Sequence, residues 1–455
     1  MGPTCVVPGT PYYEGMQGAT EGNDTDLGIR DRSLEESAAS FGPGFGQQKL
    51  LVPSGTVAVL HFGLYHRGSR RMPDSIFRNM FKTQWFRTSA PTAPSWVHQE
   101  TADELLEPFA DSGASQSRQV VWETIWDWMK GGATGGSVRD GEDVGSLVET
   151  VRSGADEVER VGAGYELASL VRNSEAQGSE ALRELLSMAQ DQEGSEGARR
   201  ASMYGLASVG DPAASGVAAA LEEAVAAGGN AVATNLAYAL GEAVRSTDVA
   251  ESSLQTLQTC IGMLGAELPV GSRDPTDDKV KEIQTVVASC VQAMGCIGER
   301  VVAGTGGDEE LTSRLVTQIA ETLLPWTTAS KTLDDNPGVG TTSGAGQARE
   351  GAAAGLLRLT SGGLRSPTDP RTVAQVIDPL SPAHHDDDRF VPAMCEASLE
   401  RLRTSTAQGS AARRAVLEPL LAGAAERWQE LAREAAATPP EPWLTPGAPD
   451  HVRWQ

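Results

Sequence analysis

The sequence predicts an α+β multidomain protein in which a short β-rich N-terminal part precedes a long α-helical solenoid. Three observations carry this. The β-branched run "SGTVAVLHFGLYH" and most of the aromatic residues lie before residue 131. After the Gly-rich passage "KGGATGGSVRDGED" the chain turns rich in Ala, Leu, Glu and Gly, with no convincing strand. Charge divides at the same place, about −4 before residue 131 and about −20 after it, out of a net −24 over 455 residues.

The elements follow in order. "CVVPGT" reads as a short strand ended by a Pro-Gly turn. Residues 24–48 are polar and rich in Gly and Ser, the composition of a surface insertion. "GTVAVLHFGLYH" reads as a longer strand opened by the turn "VPSG", and "FRNMFKTQWFR" as a third. "SRQVVWETIWDWMKG" is an amphipathic helix with Val121, Ile125 and Trp128 on one stripe and Trp122 and Trp126 beside it, tryptophans expected to anchor a core. Residues 97–144 connect, 145–436 form the helical domain, and 437–455 are a Pro-rich tail.

Within the helical part a loose repeat recurs: "GYELASLV", "MYGLASVGDPA", "NLAYALGEA", "CVQAMGCIGE", "GAAAGLLRLTSG" and "MCEASLERLRTS". They share one pattern of small residues, then Leu or Met, then a small-apolar ending, and a second amphipathic helix such as "SEALRELLSMA" or "VAAALEEAVAA" follows each. Helix pairs that cannot bury their apolar faces alone bury them against neighbouring pairs. "ASVGDPAA" resembles the inter-helix turn of HEAT-like repeats, where Gly ends one helix and Asp-Pro starts the next. The expected fold here is therefore an α-solenoid of HEAT/ARM-like helix pairs.

The candidate chemistry sits at residues 61–87. In a strand from Val57, the residues Leu60, Phe62, Leu64 and His66 share one face, while His61 is in mid-strand on the other. A histidine that closes an apolar face reads either as a hydrogen-bonded structural residue or as a metal ligand; His61 reads as structural. Arg67, Arg70, Arg71, Arg78, Lys82 and Arg87 form a basic island around the lone acid Asp74. Arg78, in the next candidate strand, can return beside His66 and grip a carboxylate with its fork.

"GPTCVVPGTPYY" and "GTVAVLHFGLYHRGSRRMPDSIFRNMFKTQWFRTSAPTAPSW" resemble, respectively, the G-P-[TL]-x-V-x-P-G-[ST] segment and the last core strands of the phytanoyl-CoA dioxygenase family. The resemblance covers residues 1–96 and implies a partial double-stranded β-helix, of the jelly-roll or cupin-like kind. It also implies Fe(II) and 2-oxoglutarate as cofactors, with His66 the distal iron ligand and Arg78 the clamp on the 2-oxoglutarate carboxylate. The family's iron also needs an H-x-D pair ahead of the "GPT" segment, where this chain has only Met1. Spacings of that kind occur only at His385–Asp387 and His384–Asp386 in "SPAHHDDDRF", read as a polar loop of the helical domain. Two expectations stay open: a chain whose iron-binding first half lies upstream, or a degenerate relative whose sheet serves as structure. In either case this chain alone is expected to bind neither cofactor.

Two functions compete. One is a dioxygenase acting on a small or lipid-like substrate; the other is a non-catalytic scaffold that holds a protein partner on its helical repeats. The acidic balance argues against a nucleic-acid partner. No apolar run is long enough for a membrane span, and the N-terminus lacks a signal-peptide pattern, so an intracellular, cytoplasmic protein is expected. Five scattered cysteines without a C-x-x-C pair read as buried thiols.

Overall fold

The computed structural model describes residues 4–6, 48–51, 53, 56, 58, 66–68, 90–94, 116–131, 143–154, 157–267, 278–303, 309–328, 344–361, 390–407, 418, 422 and 423. The chain divides into two compact units, one of Met1–Phe86 with Ser153–Arg160, the other of Arg87–Arg152 with Val161–Gln455.

In the first unit, strands β1 (Thr4–Val6), β2 (Gln48–Lys49) and β3 (His66–Gly68) make an antiparallel sheet in the order β2-β1-β3. Cys5 faces Lys49 on one side of β1, and Val6 faces His66 on the other. The short first strand is thus where the sequence placed it. Gln48 corrects the expected insertion, since it pairs in the sheet. Arg67 and Gly68, read as the start of a basic loop, also belong to a strand, because β1 supplies partners for their backbone groups. Thr56 and Ala58 correct the long strand from Val57: both are exposed and outside any strand. Strand-forming residues need cross-strand neighbours, and among the described residues these two have none. The strand expected over residues 77–87, and with it most of the double-stranded β-helix, lies outside the described residues.

The described remainder is helical: α1 (Gln116–Met129), α2 (Val144–Ser153), α3 (Glu157–Asn173), α4 (Gly178–Gln190), α5 (Glu196–Val209), α6 (Asp211–Ala226), α7 (Asn230–Ala243), α8 (Thr247–Glu267), α9 (Asp278–Ala303), α10 (Glu309–Thr328), α11 (Gly344–Ser361) and α12 (Phe390–Ala407). Among the described residues no strand follows β3. No described helix is long and apolar enough to cross a membrane.

Contacts run in two rows. Helices α5, α7, α9 and α11 touch in succession and α12 extends them, while α4, α6, α8 and α10 form a second row behind. Successive helices of the two rows also touch, as in α4 with α5 or α9 with α10. This is the contact order of a helical solenoid. All six repeat stretches fall in α3, α5, α7, α9, α11 and α12, so the recurring small residues mark one row. Their purpose is close approach. A Cβ on Gly164 would meet the Ala201 carbonyl oxygen at 2.5 Å, and one on Gly241 would meet Ala293 Cα at 2.6 Å. The second row carries a polar ladder, in which Gln318 donates to Gln258 Oε1 and Gln258 to Thr322 Oγ1, each at 2.7 Å.

The turn at "VGDP" works as its sequence suggests. Gly210 has φ +86, a left-handed conformation suited to glycine, and Pro212 opens α6 where no helical N–H is needed. Asp211 does more, since its Oδ1 accepts from the backbone N–H groups of Arg245 (2.7 Å) and Ser246 (3.2 Å), tying one repeat's turn to the next. One continuous apolar core then runs from Val144 to Leu402, with Leu167, Leu206, Leu240, Leu257 and Ile297 fully buried. Each such side chain contributes about 1.5–3 kcal/mol over the exposed state.

Cys260, Cys290, Cys296 and Cys395 are buried thiols, as their scatter suggested. Burial pushes the Cys260 and Cys296 thiols up to about 12. The thiolate is the reactive form. A disulfide-exchange reagent at neutral pH is therefore expected to leave all four untouched in the native protein and to titrate them once guanidinium unfolds it. The raised folded values also mean that the stability these thiols contribute is complete below their usual value near 9. It is lost as pH climbs from there towards 12. Rapid labelling of any of the four without denaturant would contradict the burial.

Candidate functional site

The repeat places a tyrosine two residues before a fully buried leucine in three helices of the small-residue row: Tyr165 before Leu167, Tyr204 before Leu206 and Tyr238 before Leu240. That offset turns the rings away from the core while the leucines enter it. The stacked helices bring the three rings to one wall of a cavity of about 510 Å³. Tyr204 and Tyr238 meet edge to face, with centroids 6.0 Å apart and ring planes at 85°.

The opposite wall is α1 with the segment at Ala90–Pro91. Here the sequence reading needs correction. Among the described side chains of α1 the buried ones are Val120 and Thr124; of the expected stripe, Val121 packs partly buried against the core, while Ile125 and Trp128 do not. Ile125 is 46% and Trp128 37% exposed, and both border the cavity. Trp128, expected as a core anchor, lies at the edge of a cavity instead. Two contacts hold this wall. Ala90 N–H donates to Glu299 Oε1 at 2.9 Å, and Gly131, at φ +79, seats against Thr92, where a Cβ would come within 2.3 Å of the Thr92 carbonyl carbon.

Arg245, Arg300 and Glu242 form the polar end of the cavity, where the arginines meet helix C-termini, and Arg172 and Arg401 repeat that contact outside the lining. Arg172 donates to the Ser208 carbonyl at 2.6 Å, Arg245 to the Ala207 and Ser208 carbonyls, Arg300 to those of Gly241 and Val244, and Arg401 to that of Leu357 at 2.7 Å. Each arginine so meets the negative end of a neighbouring helix dipole. The row's helices must run in one direction for this ladder to form. Glu242 pairs with Arg300, and Glu299 with Arg358 at 3.2 Å. Burial alone would raise the Glu242 carboxyl, but Arg300, Arg358 and hydrogen bonds from Arg300 and Cys296 outweigh it and hold the group below the usual carboxylate range. Burial and the adjacent Arg245 pull Arg172 down to about 10. Burial pushes the Tyr165 and Tyr238 hydroxyls up, the latter aided by Glu242, so both stay protonated.

Of the residues singled out in the sequence, His66 is placed by its backbone in β3 opposite Val6. Arg78, His61 and the His384–Asp387 stretch lie outside the described residues. Among the described residues no group of three His, Cys, Asp or Glu side chains is arranged to hold a metal ion. The tyrosine row and the arginine ladder were not found from sequence. The signal of the tyrosine row was present, since Tyr stands two residues before Leu in "YELAS", "YGLAS" and "YALGE", but only stacking makes it a wall.

Fold and site together define a helical-repeat protein with a cavity on its small-residue row. No protein-family model matches the chain, and no curated protein matches it.

Proposed function

We propose that the chain is a phytanoyl-CoA-dioxygenase-like protein, of the Fe(II)/2-oxoglutarate-dependent class, joined to a HEAT-like helical module. The observation that supports this most is the pairing of Val6 with His66. The two segments that carry the resemblance lie far apart in sequence and are neighbouring strands of one sheet. In this reading His66 would be the distal iron ligand and Arg78 the carboxylate clamp. The described residues do not supply the carboxylate and second histidine that iron needs, so no reaction step is assigned to it.

The test is an assay of 2-oxoglutarate decarboxylation with Fe(II) and ascorbate. The chain of 455 residues is expected to be inactive, because one imidazole is one donor of three. A longer form with an H-x-D pair ahead of residue 1 is expected to be active, and to lose activity on His66→Ala. Arg78→Ala in that form is expected to weaken 2-oxoglutarate binding by about 1.5–3 kcal/mol, the scale of a charge-assisted contact, without releasing iron.

A second reading, a non-catalytic scaffold, is supported by the extent of the helical stack, whose core is continuous from Val144 to Leu402. It takes over if the longer form is also inert.

A further inference from the structure

We propose that the cavity between α1 and the tyrosine row binds a small, uncharged, flat aromatic molecule, its rings between the tyrosines and Trp128 and a polar substituent hydrogen-bonded to Thr124. The site belongs wholly to the helical unit, and its assignment does not depend on the dioxygenase reading.

Three observations lead to it. The first is a polar atom without a partner: Thr124 is 1% exposed and lines the cavity, and its Oγ1 makes no hydrogen bond within the protein. A buried hydroxyl in this condition costs free energy, and a donor or acceptor on a ligand would recover it. The second is where the apolar surface lies. Among the described residues Leu51, Ile125, Trp128 and Tyr238 are the large apolar or aromatic side chains left markedly exposed, and the last three border this cavity. Apolar surface gathered around a concavity is what a ligand covers. Ile125 and Trp128 stand on the α1 side and the three tyrosines on the other, so flat rings between them gain face and edge contacts from both walls. The volume of about 510 Å³ suits two or three fused rings.

The third observation is the state of the charged groups, which decides the ligand's charge. Arg300 pairs with Glu242 and donates to the Gly241 and Val244 carbonyls. Arg245 donates to the Ala207 and Ser208 carbonyls and lies in the field of the Asp211 and Glu242 carboxylates. Every charge of the lining is thus already met by opposite charge within the protein. A charged ligand would shed its water on entry and then compete for groups that are engaged, a cost that a neutral ligand does not meet. Recognition through a polar atom is left to Thr124.

The probe is 2-naphthol, titrated into the purified chain of 455 residues by calorimetry and by quenching of tryptophan fluorescence. Saturable binding of one molecule per chain is expected. 2-Naphthoate, an anion, and 2-naphthylmethylamine, a cation at neutral pH, carry the same rings and are expected to bind about tenfold or more weaker. Thr124→Val keeps the side-chain shape, and it should weaken 2-naphthol about threefold to tenfold, the worth of one neutral hydrogen bond, while naphthalene binds as before and thermal stability is kept or raised. Trp128→Leu should weaken 2-naphthol and naphthalene alike with the helical circular-dichroism signal kept, which separates lost recognition from lost folding. Absence of saturable binding at millimolar 2-naphthol overturns the proposal, as does equal or tighter binding of either charged analogue. An unchanged 2-naphthol affinity in Thr124→Val, or a loss of thermal stability there, overturns the role of Thr124. An unchanged affinity in Trp128→Leu overturns the assignment to this cavity.

Discussion

Replacing Gly295 with Ala is expected to destabilise the protein by about 2 kcal/mol or more, although the same change elsewhere on a helix stabilises it. A Cβ at Gly295 of α9 would stand 2.3 Å from Gly355 Cα and 2.7 Å from the Gly355 carbonyl oxygen of α11. Backbone cannot step aside as a flexible side chain would, so the two helices must separate. Overpacking of this kind typically costs about 1–3 kcal/mol, more where rigid atoms collide. The gain in helix propensity, about 1 kcal/mol, does not offset it. Gly262 and Gly265 of α8 are the controls. A Cβ at either meets nothing within 4 Å, and Ala there is expected to stabilise by about 0.5–1 kcal/mol. Denaturant unfolding of the three variants checks the sign. A stabilised Gly295→Ala would mean that α9 and α11 do not meet backbone to backbone.

Arg300→Met is expected to cost about 2–4 kcal/mol, because it removes both the partner of Glu242 and the donor that caps α7 at Gly241 and Val244. The lower end applies if solvent reaches the pair, whose side chains are each about a fifth exposed. The pH dependence fixes the mechanism. The folded Glu242 carboxyl sits below its ordinary value, so below pH 4.5 the unfolded chain binds more protons at this site than the native one. The stability from the pair is thus complete above pH 4.5 and is lost as pH falls through the lowered folded value. Glu242→Gln should flatten that acid limb. If Arg300→Met and Glu242→Gln have additive effects on unfolding, the two groups are not coupled in the way the geometry requires.

Much of the helical part was legible because its information is local. Spacing within a helix decides which residues share a face, and the repeated small residues followed by Leu or Met identify the row that packs closely. Gly210, Asp211 and Pro212 announce a turn through their own backbone preferences. The scatter of Cys260, Cys290, Cys296 and Cys395 was enough to suggest buried thiols.

Other features needed the tertiary structure, and each depends on contacts between distant residues. α1 shows the limit plainly. Its sequence shows that it is amphipathic, but the side turned inward, Val120 and Thr124, is settled by what it covers, and the cavity leaves Ile125 and Trp128 exposed. Gln48 and Arg67 look like loop residues until β1 supplies hydrogen-bond partners on either side. Three tyrosines on three helices, and arginines that reach the carbonyl ends of neighbouring helices, become a site only when the row stacks. The sequence by itself determined that the second part is helical and which stretches of it carry the small residues of the close-packed row. The tertiary structure alone decided which polar groups meet at the uncovered end of that row, because their alignment follows from the stacking and not from any spacing along the chain.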